Sequence, residues 1–381
     1  MRFDRRELAG AVADVGVLVP IAVALIVGNG LSATAVLLPA GLLYVTAALV
    51  YRLPVPVQPL KAFGAIAIAK GLGSDEIAAG ALLMGVIFVM LGRLGLLDLA
   101  ARGIPRALIR GVQLTVGLLF LKIAWGLVND PPKAFTEHAL DPVAAIALAA
   151  CVLGLALALK QHSISLPLVA AGIVAMLVLE GDALSLGPSA VALPSLDGEV
   201  LLTALTVLVV PQLPLSFANS CLATADAART YFGEHAARVR PGRLATTFGS
   251  ANLLAGSIGG MPVCHGAGGL TAHYAFGART GGAPLAMGIG LVGLALGVGA
   301  GLAPLLAAFP LPLLAGLLAS AGLLHIGLLR DLRGGYEWAL ALLVGVIGFE
   351  LNLTVALALG LAAWWLPRAA RALRERPAFG A

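Results

Sequence analysis

From Leu8 to Pro367 the chain is a nearly unbroken series of apolar runs, each about 20 residues long, parted by short polar or Pro/Gly-rich breaks. A helix rises about 1.5 Å per residue, so a run of that length matches the hydrocarbon thickness of a bilayer. A soluble domain needs about a quarter of its residues charged. Here 11% are charged and 60% hydrophobic, with a mean hydropathy of +1.00. Lipid is therefore the solvent, and an all-α polytopic membrane protein is expected.

The runs read as 8–28, 31–51, 54–70, 76–98, 105–128, 142–159, 164–180, 199–227, 243–260, 262–281, 283–306, 308–329, 335–349 and 351–367, about fourteen transmembrane segments. When the segments alternate in direction, Arg2, Arg5, Arg6, Arg52, Arg102, Arg106, Lys160, Arg229, Arg238, Arg240, Arg243, Arg279, Arg330, Arg333, Arg368, Arg371, Arg374 and Arg376 fall on one side. The opposite loops "NDPPKAFTEHALD" and "EGDALSLGPSAVALPSLDGE" are acidic, with Lys133 as their one lysine or arginine. Lys/Arg bias marks the cytoplasmic face. Both termini are thus expected inside an inner cell membrane, with 368–381 as a basic cytoplasmic tail. The opening run is of full span length and lacks a cleavage site, so the first helix is expected to be retained. The net charge of +5 is read through this topology and not as a nucleic-acid signal.

Two segments are short and broken in the same way. "VPVQPLKAFGAIA" (55–67) and "MPVCHGAGGLTAH" (261–273) align as x-Pro-Val-x followed by Gly/Ala-rich apolar residues, Pro56 against Pro262, 206 positions apart. Each is the third segment of a seven-segment half. Seven is odd, so the halves must insert with opposite orientation, giving two inverted repeats at 1–180 and 199–367. Paired broken segments at corresponding places of inverted halves are the sequence pointer to a transporter's substrate site. Backbone can be irregular at that depth only where it lines a cavity or meets a ligand.

The chemistry of the breaks follows from their composition. Pro56 and Pro59 cannot sit inside a helix, but proline suits a helix's first turn. An extended stretch followed by a half-helix is expected in each, the first starting near Pro59 and the second near Cys264 or His265. Each start presents unpaired N–H groups and the positive end of a dipole, together an anion site. Lys61, on the first turn, would add a full charge there, the alternative being that it reaches out to an interface. His265 is a hydrogen-bond donor to an anion, a proton carrier or a packed side chain. No metal ligand lies at a suitable spacing from it, the three cysteines have no C-x-x-C arrangement, and no phosphate-binding G-x-x-x-x-G-K-[ST] loop is present. No cofactor is expected. Asn219 and Ser220 fall mid-segment, where they either join helices or face a substrate. Asp14 carries a coupling proton, or pairs with Lys61 or with a helix N-terminus. Gln113 is a weaker candidate, and Lys122 is expected to reach outward.

Together "PVPVQPLKAFGAIAIAKG", "QLPLSFANSCLATADAA" and "GGMPVCHGAGGLTAHYAFGARTG" resemble the molybdate transporter family, a branch of the sulfate permease superfamily. "RGVQL" and "AGAVADVGVLVPIAVAL" fit it too, so the resemblance spans essentially the whole chain. It implies a core domain of segments 1–4 and 8–11, a gate domain of segments 5–7 and 12–14, and elevator-type movement of one against the other. It implies substrate between the half-helices, lined by Gln58, Pro59, Leu60, Lys61, Asn219, Ser220, Cys264, His265, Gly266, Ala267 and Gly268. The expected activity is secondary-active import of molybdate, with sulfate or a broad oxyanion range as the alternative. Asp14 and His265 are the candidates for proton coupling. A homodimer is expected from the resemblance alone. The regulatory STAS domain of many sulfate permeases is not expected, which also fits the molybdate branch. Nucleobase permeases share the architecture but resemble a pattern with a carboxylate for reading the base on segment 8, which holds no Glu and has Asp226 only at its cytoplasmic end. Two other classes are kept as rivals: a membrane enzyme using Cys264 and His265, which would need an acid–base partner such as Asp14, and a passive anion channel.

Overall fold

The computed structural model describes residues 1–159 and 161–374; Lys160 and the last seven residues, which include Arg376, lie outside the described residues. In chain order the elements are α1 (Arg5–Gly28), α2 (Ala33–Tyr51), β1 (Gln58–Pro59), α3 (Lys61–Lys70), α4 (Ser74–Arg93), α5 (Leu96–Arg102), α6 (Arg106–Asn129), α7 (Pro142–Ala158), α8 (Gln161–Glu180), α9 (Gly198–Arg238), α10 (Pro241–Ser257), β2 (Val263–Cys264), α11 (Ala267–Phe276), α12 (Gly282–Gly297), α13 (Leu302–Ala307), α14 (Leu311–Ile326), α15 (Gly335–Glu350) and α16 (Leu353–Arg374). Helix dominates because a backbone group facing lipid finds its partner only within its own helix.

Helix starts follow capping chemistry. Asp4, Asp141 and Asp197 each accept two first-turn N–H bonds, and Ser32 accepts one. Among the described residues six helices are long and apolar enough to cross a membrane: α1, α2, α4, α6, α9, and α14 with its continuation to Asp331. Helix α12 and Gly299–Ala307 form a bent pair meeting at 83°, and Pro142–Ala158, Pro167–Glu180 and Leu353–Arg368 are shorter apolar helices. The bend departs from the single run read at 283–306. It is stabilised by the loop at Gly187, whose N–H donates to Gly297 O (2.8 Å) and whose carbonyl accepts from Ala300 N (3.0 Å). Helix α9 widens into π turns at Ala204–Val209 and Ser216–Ala223, on either side of Pro211 and Pro214, which have no N–H to give the helical ladder.

Helix pairs approach through facing glycines, since lipid offers no hydrophobic drive for association and close contact must supply it. Helix α4 lies along α10, α2 along α12, and α6 against both α14 and α15. A Cβ on Gly85 of α4 would lie 2.9 Å from the Gly249 carbonyl of α10, and one on Gly249 would lie 3.1 Å from the Gly85 carbonyl. Gly41 and Gly288 are related in the same way across α2 and α12, and Gly117 and Gly322 across α6 and α14. Replacing Gly249 by Leu is expected to destabilise the fold by about 1–3 kcal/mol through overpacking. Gly290→Leu, at a position open on all sides, is expected to be close to neutral. Thermal unfolding of the two purified variants in detergent checks the contrast.

Candidate functional site

The two Pro-Val stretches meet. Gln58 pairs with Cys264 and Pro59 with Val263 in a two-residue antiparallel ladder, and Leu60 N–H extends it to Pro262 O at 3.2 Å. Asn252 Oδ1 of α10 accepts from Val263 N at 2.7 Å, so the broken backbone is hydrogen-bonded despite having no helix of its own. His265 completes the frame. Its Nδ1 donates to Pro56 O (2.8 Å) and its Nε2 bonds Thr247 Oγ1 (2.9 Å), both within a fully buried environment. Of the three expectations for His265 (donor to an anion, proton carrier or packed side chain), this geometry favours the packed side chain: both ring nitrogens bond the protein, and a backbone carbonyl can only accept. The second half-helix also begins later than expected, at Ala267, because Cys264 is held in the ladder and Gly266 is extended (φ −133°, ψ 130°) as the N-cap.

The half-helices α3 and α11 start immediately beyond this ladder, and one helix caps both. Gln212 Oε1 on α9 accepts from Phe63 N in the first turn of α3 at 2.9 Å. Seven residues on, Asn219 Oδ1 accepts from Ala267 N in the first turn of α11 at 3.3 Å. The remaining first-turn N–H groups, of Lys61 and Ala62 on one side and Gly268 and Gly269 on the other, have no acceptor within their own helices. Lys61 Nζ lies 3.7 Å from the place a Cβ would take on Gly266, so the ammonium of one half-helix sits at the N-cap of the other. Two dipole ends and one cation thus converge on one buried spot, which is the electrostatics of an anion site.

A hub of buried polar groups lies behind it. Asp14 of α1 accepts from Tyr44 Oη (2.6 Å), Gln58 Nε2 (2.5 Å) and His273 Nε2 (2.8 Å). Gln58 in turn accepts from Lys61 Nζ at 2.7 Å through its Oε1. Asp14 therefore reaches Lys61 through an amide, not directly. The glycines of the break make room for this amide. Any side chain on Gly266 would strike Gln58 Oε1, and one on Gly269 would strike Gln58 Nε2 and lie 2.5 Å from Asp14 Oδ1. On the other side the Phe120 ring of α6 covers the site: Lys61 Nζ is 5.4 Å from its centroid, and a Cβ on Gly268 would be 2.7 Å from its Cζ.

Of the residues read from sequence, Gln58, Lys61, Asn219 and Gly266 to Gly268 come together, with Pro59, Leu60 and Cys264 in or beside the ladder. Ser220 is buried next to Asn219, with its side chain beside the Cys264 thiol. Gln113 belongs elsewhere. It accepts from Arg110 Nη1 (2.8 Å) in a cluster where Arg110 is ion-paired to both Asp226 and Asp331. Lys122 lies outward over the Phe349 ring. Sequence reading missed Gln212, Tyr44, His273 as the partner of Asp14, and Phe120. Gln212 alone carried a visible signal, a glutamine between two prolines deep in an apolar run. Among the described residues no group of three or more His, Cys, Asp or Glu side chains is arranged to hold a metal.

A sequence model of the family described as "Molybdate transporter of MFS superfamily" matches residues 6–120 and 204–324. Molybdate transporter 1 of Arabidopsis thaliana is 28% identical over 367 residues, covering 86% of this chain and 80% of that protein. Molybdate transporter 1 of Chlamydomonas reinhardtii is 40% identical over 146 residues, 37% of this chain and 28% of that protein. Among solved structures, the transmembrane domain of the cyanobacterial bicarbonate transporter BicA superposes with a TM-score of 0.57 at 21% identity, covering 95% of this chain and 98% of that one. Murine solute carrier 26 family member A9, in its inward-facing state, gives 0.62 at 14% identity, over 96% and 68%. These superpositions show the fold: an all-helical membrane-transporter architecture shared with the solute carrier 26 proteins.

The hub should matter to folding. Asp14→Ala would leave the donors of Tyr44, Gln58 and His273 buried without an acceptor, and the expected loss is about 1–3 kcal/mol or more. Unfolding midpoints of the purified variant and of Asp14→Asn, which keeps an acceptor oxygen, check this; equal midpoints for Asp14→Ala and the parent protein would remove the hub's structural role.

Proposed function

The chain belongs to the molybdate transporter family, and from that premise we propose that it is a secondary-active importer of a tetrahedral oxyanion, molybdate first. The observation that carries this reading is the convergence of two half-helix N-termini with Lys61 Nζ at one buried point. Gln58, Lys61, the free first-turn N–H groups of α3 and α11, and Asn219 as a capping residue would line the site, with Pro59, Leu60, Ser220 and Cys264 as its walls. Charge-assisted bonds from an ammonium and from oriented amides suit a dianion, and they need no cofactor. Molybdate and sulfate share charge and shape, so selection between them falls to cavity size.

The inverted repeat is part of the proposal, and the ladder register supports it. If Val57 and Gln58 correspond to Val263 and Cys264, the pair Gln58–Cys264 joins equivalent positions, the register a two-fold axis through that pair requires. The helix packing has the same symmetry. Helices α2 and α12 exchange with α10 and α4, while α6 and α14 pair with each other. On this basis we count fourteen segments, with both termini on the cytoplasmic side of the membrane. Segments 1–4 and 8–11 form a core carrying the site, and segments 5–7 and 12–14 form a gate. Phe120, on the gate, then covers a site borne by the core, and movement of the core past it would alternate access.

Import of a dianion against a negative-inside potential is uphill by roughly 2.3 kcal/mol per charge per 100 mV, so a cation should accompany it. We assign the coupling proton to Asp14 and not to His265, whose ring nitrogens both bond the protein. Tyr44 and His273 both bond Asp14 Oδ2, whereas Oδ1 accepts from Gln58 alone and keeps a lone pair for a proton, whose arrival would weaken the hold on Gln58 Nε2. If Gln58 is the donor released, the amide that holds Lys61 turns free, which links proton binding to the anion site.

Saturable uptake of labelled molybdate into proteoliposomes, stimulated by an inward proton gradient and resistant to excess sulfate, is the expected result. Equal competition by sulfate would make this a general oxyanion permease, and unsaturable anion current would make it a channel. Lys61→Ala is expected to lower uptake at least 100-fold, the loss of a charged hydrogen bond in a buried site being about 3 kcal/mol or more, while the protein still folds. Asp14→Asn is expected to keep molybdate exchange but lose its response to the proton gradient. A gradient response unchanged in Asp14→Asn would overturn the proton assignment.

A further inference from the structure

Away from the half-helices, a second cavity of about 460 Å³ lies where the chain's first residues meet the end of α2, the turn at 233–238 and the loop after α11. Arg2, Arg52, Arg238 and Arg279 line it together with His235 and Thr280, and no carboxylate is among its lining residues. None of these four arginines is ion-paired with a described residue.

Three of the four arginines are held in place by specific contacts. Arg52 caps α2 with φ 57°, the one positive φ outside glycine among the described residues. That position favours glycine or asparagine, and a long branched cation is strained there, a feature that gathers at binding sites. Its carbonyl accepts from Gly281 N at 3.0 Å, which ties it to the loop that carries Arg279. Arg2 N–H donates to Thr280 Oγ1 at 3.1 Å, and its backbone is pressed onto Gly282, where any side chain would strike the Arg2 carbonyl. The Arg279 guanidinium stacks 3.8 Å from the Tyr274 ring centroid and donates to Ala278 O at 2.8 Å, while its backbone N–H donates to Glu7 Oε1 at 2.9 Å. Four separate pieces of chain thus converge on one bowl, each bringing an arginine.

Glu7 at the Arg279 amide and Asp4 near Arg2 offset part of the charge, but four guanidinium groups around one cavity with no ion pair among the described residues still repel one another, and an anion among them turns those terms attractive. Planar forked donors match the oxygens of phosphate-type groups bidentately. We infer that this arginine bowl binds a multiply charged phosphate-type oxyanion, carried either by an anionic lipid headgroup or by a soluble phosphate compound. The site is separate from the half-helix site and does not depend on which anion is transported.

The test uses the full chain in phosphatidylcholine nanodiscs with labelled pyrophosphate as the probe. Saturable binding is expected, weakened about tenfold or more in Arg52→Gln/Arg238→Gln. The charge-matched control Arg5→Gln/Arg333→Gln, outside the bowl, should bind as the parent does. Should the first pair fail to fold, Arg238→Gln alone, on the exposed turn, reads the same effect. A second arm repeats the titration in discs containing phosphatidic acid, whose phosphomonoester headgroup carries more than one negative charge. Displacement of pyrophosphate by that lipid identifies the headgroup as the source, and undisturbed binding identifies a soluble phosphate compound. Binding that is absent, unchanged in the arginine variants, or weakened equally in the control pair overturns the site.

Discussion

The pairing of Gln58 and Pro59 with Cys264 and Val263 is the interaction on which the rest of this structure depends. Two chain segments leave helical geometry at the depth of the membrane, where water cannot satisfy their backbones. Each can do so only because the other is there. Asn252 and the Leu60–Pro262 bond finish the accounting, and His265 bolts Pro56 to α10 through Thr247. Once the ladder is fixed, the starting points of α3 and α11 are fixed with it. Two helix N-termini that would otherwise avoid each other, having like partial charges, are held together at the place where Lys61 sits.

That convergence stores unfavourable electrostatics, and the structure relieves part of it. Gln212 and Asn219, seven residues apart on α9 with Asn219 inside the second π-helical stretch, each take one first-turn donor from a half-helix. Gln58 spans from Lys61 Nζ to Asp14, placing a negative group two bonds behind the cation. The remaining donors are oriented and have no protein acceptor of their own helix. On the proposed reading, a site built this way would not have to reorganise when an anion arrives. Phe120 lies across it, so the fold has both the charge that attracts and the apolar face that closes.

The same logic of convergence distinguishes the two cationic regions. At the half-helices, positive potential comes mainly from backbone dipoles in a buried setting, with one lysine. In the arginine bowl it comes from full charges on four exposed side chains, at positions set by a strained cap and by contacts with the chain's beginning. The first suits a small bare oxyanion stripped of water, and the second a larger ligand that stays partly solvated.

How far the sequence alone reached follows from which forces act locally. The apolar runs, the proline-broken segments and the helix starts, to within a few residues, are set by the solvent and by residues a few positions apart, so they were legible, while the proximity of Gln58, Lys61, Asn219 and Gly266 to Gly268 was expected from the family resemblance. The family resemblance rested on these same short motifs. Tertiary structure alone decided the partners. Asp14 and His273 are 259 positions apart, His265 and Pro56 are 209 apart, and Gln212 and Phe63 are 149 apart. A side chain's type states what it can donate or accept, whereas which group answers it depends on chain crossings that no local spacing records. From sequence His265 could be an anion donor, a proton carrier or a packed side chain, and its two bonds to Pro56 and Thr247 are those of a packed one, whereas His273 carried no signal and holds the buried carboxylate.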